Sequence, residues 1–198
     1  MKIETEKREV LDKLCSEINA EAGLDIQIIY DEPNCFNSLM AHYGRFSGVN
    51  NYIAIVGPKS DELEEKAGYY GEKLVLKAQE LGLNTCWVAM THGKSKAVVK
   101  KGNKLSIIIS LGYGENQGVA HKNKDISKLA KVSDDDPEWY KEGVKAALLA
   151  PTAVNQQKFM IERDGGQARI TAPKGMLTKM DLGIVKYNFE YATGHKAK

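Results

Sequence analysis

The sequence predicts an α+β fold with two similar halves, and three observations lead to this prediction. Some segments place apolar residues at helical spacing, whereas others are short, apolar and rich in β-branched residues. These two kinds of segment alternate along much of the chain. Residues 48–51 and 153–156 are also similar, and each is followed by a strand and a helix. The 198 residues suit one domain over 1–198, with halves at about 45–110 and 137–195.

Composition excludes several classes of protein. Hydrophobic residues make up 42% and charged residues 27%, which is typical of a globular domain and not of a disordered or collagen-like chain. The net charge of +2 argues against a dedicated nucleic-acid-binding domain, although five lysines between 94 and 104 leave a basic interaction module as an alternative. No apolar run reaches the ~20 residues of a membrane span, and the charged residues 1–6 do not begin a signal peptide. We therefore expect a cytoplasmic protein with no nucleic-acid or membrane partner.

The cysteines and histidines do not predict a metal site or a nucleophile. Cys15, Cys35 and Cys86 are odd in number and widely spaced, which favours reduced thiols over disulfides. The four histidines lack the spacing of zinc ligands, and no Gly-x-Ser-x-Gly motif occurs. We therefore predict neither a metal site nor a catalytic side chain.

The first part of the chain predicts a helix, a strand and a loop before a second strand. Leu11, Leu14 and Ile18 recur at helical spacing, and Gly23 can end this helix. Residues rich in Asn, Gly and Ser predict a loop with one short helix before the second strand, which Gly57 and Pro58 would end. The predicted helix, strand, loop and second strand cover 5–22, 25–30, 33–51 and 52–56.

The middle of the chain predicts a long helix and two strands. Tyr70, Leu74 and Ala78 lie four residues apart, acidic residues fill the first turns, and Gly82 can follow the last turn. Two later apolar runs are too short for helices and are rich in β-branched residues. The predicted helix covers 61–81, and the strands cover 85–90 and 105–111.

The last third predicts a helix, two short strands and a final helix. Asp136 and Pro137 are typical of an N-cap and a first helical position, and Pro151 would follow the end of that helix at Leu149. Gly194 can end the final helix. The predicted strands cover 158–162 and 169–171, and the final helix covers 181–192.

A glycine-rich strand end is the first candidate for chemistry. Gly112 and Gly114 follow a strand directly, where a backbone can approach a ligand closely, but with Gly118 they do not form a Rossmann fingerprint. Lys122 and Lys124 follow, and their two ammonium groups could neutralise one phosphate. Solvated surface lysines are the alternative interpretation.

A turn rich in small residues and amides is the second candidate. Pro151 stops a helix, and Asn155 and Gln156 precede a strand. Such a turn can present N–H groups and side-chain amides to the edge of a heteroaromatic ring. Asn155 and Gln156 could instead cap the turn itself.

The third candidate is the strand that follows Gly82. It contains Trp87 and ends in small residues. By itself Trp87 is more expected in a hydrophobic core than beside a cofactor.

Together these three segments resemble the FMN-dependent nitroreductase family. The matching motifs are Leu81-Gly82-Leu83 with Cys86-Trp87, Leu111-Gly112-Tyr113 with basic residues after it, and a turn at 150–157 similar to the family's Ala-Pro-Ser-x-x-Asn-x-Gln. The resemblance covers about residues 45–195, and the late position of the turn resembles a divergent subgroup. It implies a nitroreductase-like fold with a mixed sheet flanked by helices.

The resemblance also implies an activity, which is NAD(P)H-dependent reduction of nitroaromatics, quinones or similar acceptors by a ping-pong mechanism on FMN. It implies a homodimer with the flavin at the subunit interface. The Arg-Arg-Ser-x-Arg type of segment with which family members hold the cofactor does not occur in this sequence. A flavin-binding or flavin-less protein of the same fold without reductase activity is therefore the alternative.

The resemblance assigns cofactor roles to three groups of residues. The backbone of Trp87, Val88 and Ala89 would lie against the flavin ring. Lys122 and Lys124 would hold the phosphate. The residues that approach the ring from the partner subunit would be Pro151, Thr152, Ala153, Asn155 and Gln156.

Overall fold

The structure is a computed structural model that describes all residues from 1 to 198. The chain divides into two compact units. The first unit contains Met1–Leu63 and Leu74–Gln117, and the second contains Glu64–Lys73 and Gly118–Lys198. The predicted halves at about 45–110 and 137–195 remain a prediction. In the first repeat a strand leads directly to a helix, whereas in the second a two-stranded hairpin precedes the helix.

Five helices and six strands make up the regular structure. None of the helices combines the length and the apolar composition that crossing a membrane requires. The helices are α1 (Thr5–Ala22), α2 (Leu39–Tyr43), α3 (Leu63–Glu80), α4 (Glu138–Ala147) and α5 (Thr178–Thr193). The strands are β1 (Gln27–Ile29), β2 (Asn51–Pro58), β3 (Asn84–Val88), β4 (Asn103–Gly112), β5 (Met160–Asp164) and β6 (Gln167–Thr171).

The first unit contains a four-stranded sheet in the order β1-β2-β4-β3. The predicted α+β class is confirmed, but the sheet differs from the predicted mixed one because all three of its strand pairs are antiparallel. Strands β2 and β3, which α3 connects, run in the same direction because both are antiparallel to β4. They do not pair because β4 lies between them.

Strand β2 forms the centre of this sheet. Its residues are buried from Asn51 to Gly57, which requires cover on both faces. On one face, Tyr52 and Ile108 belong to a buried cluster with Phe36. The loop before β2 is thereby tied to the sheet by its aromatic side chain.

The second unit contains the β5–β6 hairpin and the packed helices α4 and α5. Gly143 of α4 lies so close to the ring of Phe189 on α5 that an added Cβ would be 2.3 Å from a ring carbon. Tyr140 is fully buried, and its hydroxyl lies 2.9 Å from the carbonyl oxygen of Lys131. The absence of a side chain at residue 143 therefore lets the aromatic residues fill this core.

Helix α5 also crosses the first turns of α3 within the second unit. A Cβ on Gly68 would lie 2.0 Å from the carbonyl oxygen of Met180, and a Cβ on Gly183 would lie 2.0 Å from that of Glu65. Lys186 forms a 2.6 Å ion pair with Glu65 beside the crossing. The two helix backbones therefore meet where neither carries a side chain.

Several predicted element ends differ from the observed ones. Helix α1 has the predicted bounds, and Gly23 ends it in the left-handed conformation with φ 65°. Strand β2 does not stop before Gly57, because Gly57 and Pro58 continue the pairing with Lys104 and Asn103. The predicted strand at 25–30 is shorter at both ends, at Gln27–Ile29. The predicted strand at 85–90 begins one residue earlier and ends two residues earlier, at Asn84–Val88.

The observed ends of α4 and α5 in the second unit also differ from the predicted ends. The N-cap of α4 is Pro137 and not Asp136, whose carboxylate instead accepts a 2.8 Å hydrogen bond from the Ser133 backbone N–H. Helix α4 ends at Ala147, two residues before the predicted end. Helix α5 begins at Thr178, almost one turn before the predicted start at Asp181.

Replacing Gly183 by Ala should destabilise the chain, because the new methyl group would overlap the backbone of α3. We expect a loss of about 1–3 kcal/mol in the free energy of unfolding, measured by urea denaturation. The matched control is Gly166→Ala, since an added Cβ there has no heavy atom within 4 Å. Equal stability of the two variants would contradict the close helix crossing.

Candidate functional site

The segment after Pro151 forms a tight turn with an unusual backbone. Val154, Asn155 and Gln157 have positive φ angles of 47°, 53° and 41°. Residues with a Cβ rarely adopt this conformation, and each costs about 1–3 kcal/mol unless the surroundings impose it. Such residues are concentrated at functional sites, so this turn is the main candidate within the second unit.

The buried carboxylate of Asp181 holds this turn from the first turns of α5. Asp181 is buried, with only 3% of its surface exposed. One carboxylate oxygen accepts a 2.9 Å hydrogen bond from the Ala153 backbone N–H, and the other accepts a 2.7 Å bond from the Gln156 side-chain amide. The Gln156 amide also donates to the carbonyl oxygen of Met176 over 3.0 Å. Asp181 therefore fixes both the backbone and a side chain of the predicted site.

Burial raises the pKa of Asp181, because the ionised carboxylate loses its hydration. The hydrogen bonds from Ala153 and Gln156 act on this pKa in the opposite direction, since they favour the charged form. Burial is the larger of these effects.

The side chains of the turn bind mainly one another and its neighbours. Asn155 donates a 3.0 Å hydrogen bond to the carbonyl oxygen of Lys122 and accepts a 2.6 Å bond from Gln157. Thr152 accepts a 3.0 Å bond from the Gln157 backbone N–H. These contacts favour the turn-capping interpretation of Asn155. Pro151 is the half-buried start of the turn.

The two predicted phosphate-binding lysines lie beside this turn, but their ammonium groups differ. The Lys124 ammonium donates to the carbonyl oxygens of Gln156 and Gln157, at 2.6 and 3.2 Å. Lys122 is exposed, and its ammonium makes no hydrogen bond or ion pair. Lys124 therefore supports the turn, whereas Lys122 has its charge available for an anion.

The third predicted group lies in the first unit. Trp87 and Val88 are in β3, an edge strand with one side unpaired in the sheet, and Ala89 follows as an exposed residue. The indole Nε1 of Trp87 is buried and has no hydrogen-bond partner. Val88 is 2% exposed and belongs to the core, so only its backbone could contact a ligand.

The sequence does not predict a functional role for two residues of this turn and its support, Asp181 and Gln157. The sequence indicates Asp181 only as a helix start, and Gln157 only as part of the motif. Gln157 is 3% exposed, and its side chain joins Lys122 to Asn155. The sequence offers two signals for these residues. They are two adjacent glutamines before a strand and an Asp in the first turns of a helix.

The predicted site residues contain no carboxylate, imidazole or thiol. They offer backbone N–H groups, an indole N–H and one available ammonium group. This chemistry suits a site in which a bound cofactor carries out the reaction.

Comparison with known proteins identifies similar chains. A family described as "Putative TM nitroreductase" matches residues 1–193. A "putative nitroreductase" from Thermotoga maritima is 24% identical with a TM-score of 0.63 over 85% of this chain, and the chain covers only 65% of that structure. The fold of that structure is therefore the fold of this chain.

Two further solved structures are more distant. An FMN-dependent nitroreductase from Clostridium difficile is 20% identical with a TM-score of 0.48, and the match covers 69% of this chain and 90% of that one. A "Putative NADH dehydrogenase/NAD(P)H nitroreductase" from Parabacteroides distasonis is 16% identical with a TM-score of 0.49, over 65% of this chain and 86% of that one. No curated protein matches the chain.

Replacing Asp181 by Ala should destabilise the chain, because it leaves the Ala153 N–H and the Gln156 amide without their acceptor. We expect a loss of about 1–3 kcal/mol in the free energy of unfolding. The control Asp164→Ala removes an exposed carboxylate whose ion pair with Lys198 spans 4.0 Å, and it should change stability by less than about 0.5 kcal/mol. Equal losses in urea denaturation would show that Asp181 does not hold the turn.

The raised pKa of Asp181 also predicts a pH dependence with a defined sign. Its ordinary value is 3.8, so above that pH the native state keeps a proton that the unfolded state has lost. This contribution to stability is present below about pH 3.8 and decreases as the pH rises through the raised pKa. The stability of the wild type relative to Asp181→Asn should therefore fall as the pH rises above about 3.8. Urea denaturation across this range measures it, and a relative stability that rises with pH would contradict it.

Proposed function

Because the chain belongs to the family described as "Putative TM nitroreductase", we propose that it is an FMN-dependent oxidoreductase. We propose that it uses NADH or NADPH to reduce nitroaromatics, quinones or similar acceptors. The observation that carries this proposal is the strained turn after Pro151, which holds the motif residues in one conformation through Asp181. A turn of this rigidity suits the orientation of a cofactor more than it suits a connection between two elements.

The residues present fit FMN at two places. The Trp87 indole N–H is buried without an acceptor, and a flavin ring carries nitrogen and carbonyl acceptors along its edge. Lys122 has an exposed ammonium without a partner, which suits the phosphate. In each case the group that would contact FMN has no hydrogen-bond or ion-pair partner within the protein.

The residues of this chain would have separate tasks in the reaction. Lys122 would bind the phosphate, and Trp87 with the backbone of Val88 and Ala89 would contact the ring. Asp181 and Lys124 would keep the turn in its bound conformation. When bound, FMN would supply the capacity to accept and release electrons, which we propose is used in a ping-pong order with the nicotinamide and the final acceptor.

We also propose a homodimer in which the turn contacts the partner subunit. Val154 at the tip of the turn is 86% exposed, although it is apolar. The family resemblance assigns this turn to the partner's flavin, and Val154 is an exposed residue that such a contact would cover.

A cytoplasmic location is part of the same proposal. Cys15, Cys35 and Cys86 are free thiols, which fits a reducing compartment. Reduced nicotinamide cofactors would be available there.

One observation favours the alternative of a nitroreductase-fold protein without reductase activity. The Lys124 ammonium is engaged by the turn, so Lys122 is the one predicted phosphate ligand with an available side chain. Weak cofactor binding would follow from a single cation.

Absorbance of the purified protein separates these two functions. We expect a flavin spectrum after incubation with FMN and gel filtration, and loss of its long-wavelength band when NADH or NADPH is added without oxygen. A retained flavin that neither nicotinamide bleaches would support the alternative. Absence of any retained flavin would contradict FMN dependence.

Replacing Lys122 by Gln should weaken FMN binding by about tenfold without changing the melting temperature of the apo-protein, because its ammonium is free for the phosphate. Lys124→Gln should instead lower the melting temperature, because it removes two hydrogen bonds to the turn. Isothermal titration with FMN and thermal melts of the apo-protein measure the two effects.

The exposed Lys174 provides the matched control, since Lys174→Gln also removes one positive charge from the second unit. This variant should keep both the FMN affinity and the melting temperature. Equal FMN affinity of Lys122→Gln and Lys174→Gln would remove Lys122 from the site.

A further inference from the structure

A cavity of about 580 Å³ lies in the first unit, within the segment from Pro33 to Asn50. Its volume is in the range of small-molecule sites, which is about 300–1,000 Å³. None of the residues assigned to FMN lines it. Its most informative lining residues are Phe36, Asn37, His42, Arg45, Phe46 and Asn50.

A buried carboxylate holds the chain segment that carries Phe36. Glu32 is 2% exposed and accepts hydrogen bonds from the backbone N–H groups of Asn34 and Cys35, at 2.9 and 3.3 Å. The hydroxyl of Tyr52 lies 3.2 Å from the same carboxylate. The segment that carries Phe36 is therefore fixed to the central strand β2 before any ligand binds.

The apolar part of the lining contains Phe36, which is 4% exposed, and the half-buried Phe46, beside Pro33 and Val49. The rings of Phe36 and Phe46 meet edge to face, with centroids 5.0 Å apart and planes at 65°. Phe36 makes a similar contact with Tyr52, at 6.0 Å and 60°. Aromatic walls of this kind favour a flat aromatic ligand over a bulky aliphatic one.

The polar part of the lining is basic. It contains Arg45 and His42 and no Asp or Glu. The Arg45 guanidinium makes no hydrogen bond or ion pair, and its backbone has a positive φ of 61°. A planar guanidinium without a partner is suited to a carboxylate, with which it forms two parallel hydrogen bonds.

We propose that this cavity binds a planar aromatic carboxylate, with the ring against Phe36 and Phe46 and the carboxylate on Arg45. His42, Asn37 and Asn50 supply further donors at the rim. This site does not depend on the proposed flavin chemistry, because no residue is shared between the two.

Equilibrium dialysis of the full chain with naphthoate tests the proposal. Naphthalenemethanol provides the same ring without the charge, and cyclohexanecarboxylate provides the charge without a planar ring. We expect naphthoate to bind at least about tenfold more tightly than either of them. Equal retention of all three compounds, or no retention of naphthoate, would overturn the proposal.

Three variants test whether naphthoate binds at Arg45. Arg45→Gln should weaken naphthoate binding by about tenfold and leave FMN titrations unchanged, whereas Arg169→Gln removes an exposed arginine of the second unit and should change neither. Arg45→Lys keeps the charge and should bind more tightly than Arg45→Gln, which protects the result against a loss of folding. Unchanged naphthoate affinity in Arg45→Gln would overturn the assignment. Competition by FMN that depends on Arg45 would make the cavity a flavin site and would also overturn it.

Discussion

The carboxylate of Asp181 is the constraint on which the candidate site depends. Two groups 28 and 25 residues earlier in the chain, the Ala153 N–H and the Gln156 amide, converge on it. Without an acceptor at this point, the turn would lose two of the hydrogen bonds that offset the cost of the positive φ angles at Val154 and Asn155. The burial that raises the pKa of Asp181 also places its hydrogen bonds where water cannot compete for the donors. The turn is therefore held at an energetic cost, as is common where a protein must present fixed groups to a ligand.

The position of Asp181 depends in turn on the packing of α5. Gly183, two residues further along, meets the backbone of α3, so the helix has little freedom to shift or rotate. Lys124 then joins the turn to the preceding segment through two carbonyl oxygens. The packing of α5 on α3, the Asp181 carboxylate, the turn and Lys124 therefore form a continuous set of contacts in the second unit. The result is that Lys122 keeps its ammonium free while its own carbonyl oxygen is bound by the turn.

The sequence predicts features that depend on nearby residues and misses those that depend on distant ones. Apolar spacing and Gly23 predict the bounds of α1, because helix formation and helix ends are local. The position of β4 between β2 and β3 depends on pairing between strands that are distant in the sequence, and no local sequence pattern predicts it. The motif resemblance assigns Lys122 to the phosphate and Asn155 to the partner's flavin ring, and it does not predict that the Asn155 amide donates to the Lys122 carbonyl oxygen. It could not show that Lys124 and Asn155 are used within the turn, since this depends on which donor reaches which carbonyl oxygen.

The central proposal is that Trp87 contacts FMN and that this turn contacts the FMN of a partner subunit, and an NMR titration of the labelled protein tests it most directly. The chain has two tryptophans, so the indole signal of Trp139 is an internal reference for that of Trp87. We expect added FMN to shift the Trp87 indole N–H and the backbone amides of Ala153 and Asn155, and to leave the Trp139 indole unchanged. FMN binding that shifts neither Trp87 nor the turn would contradict the claim.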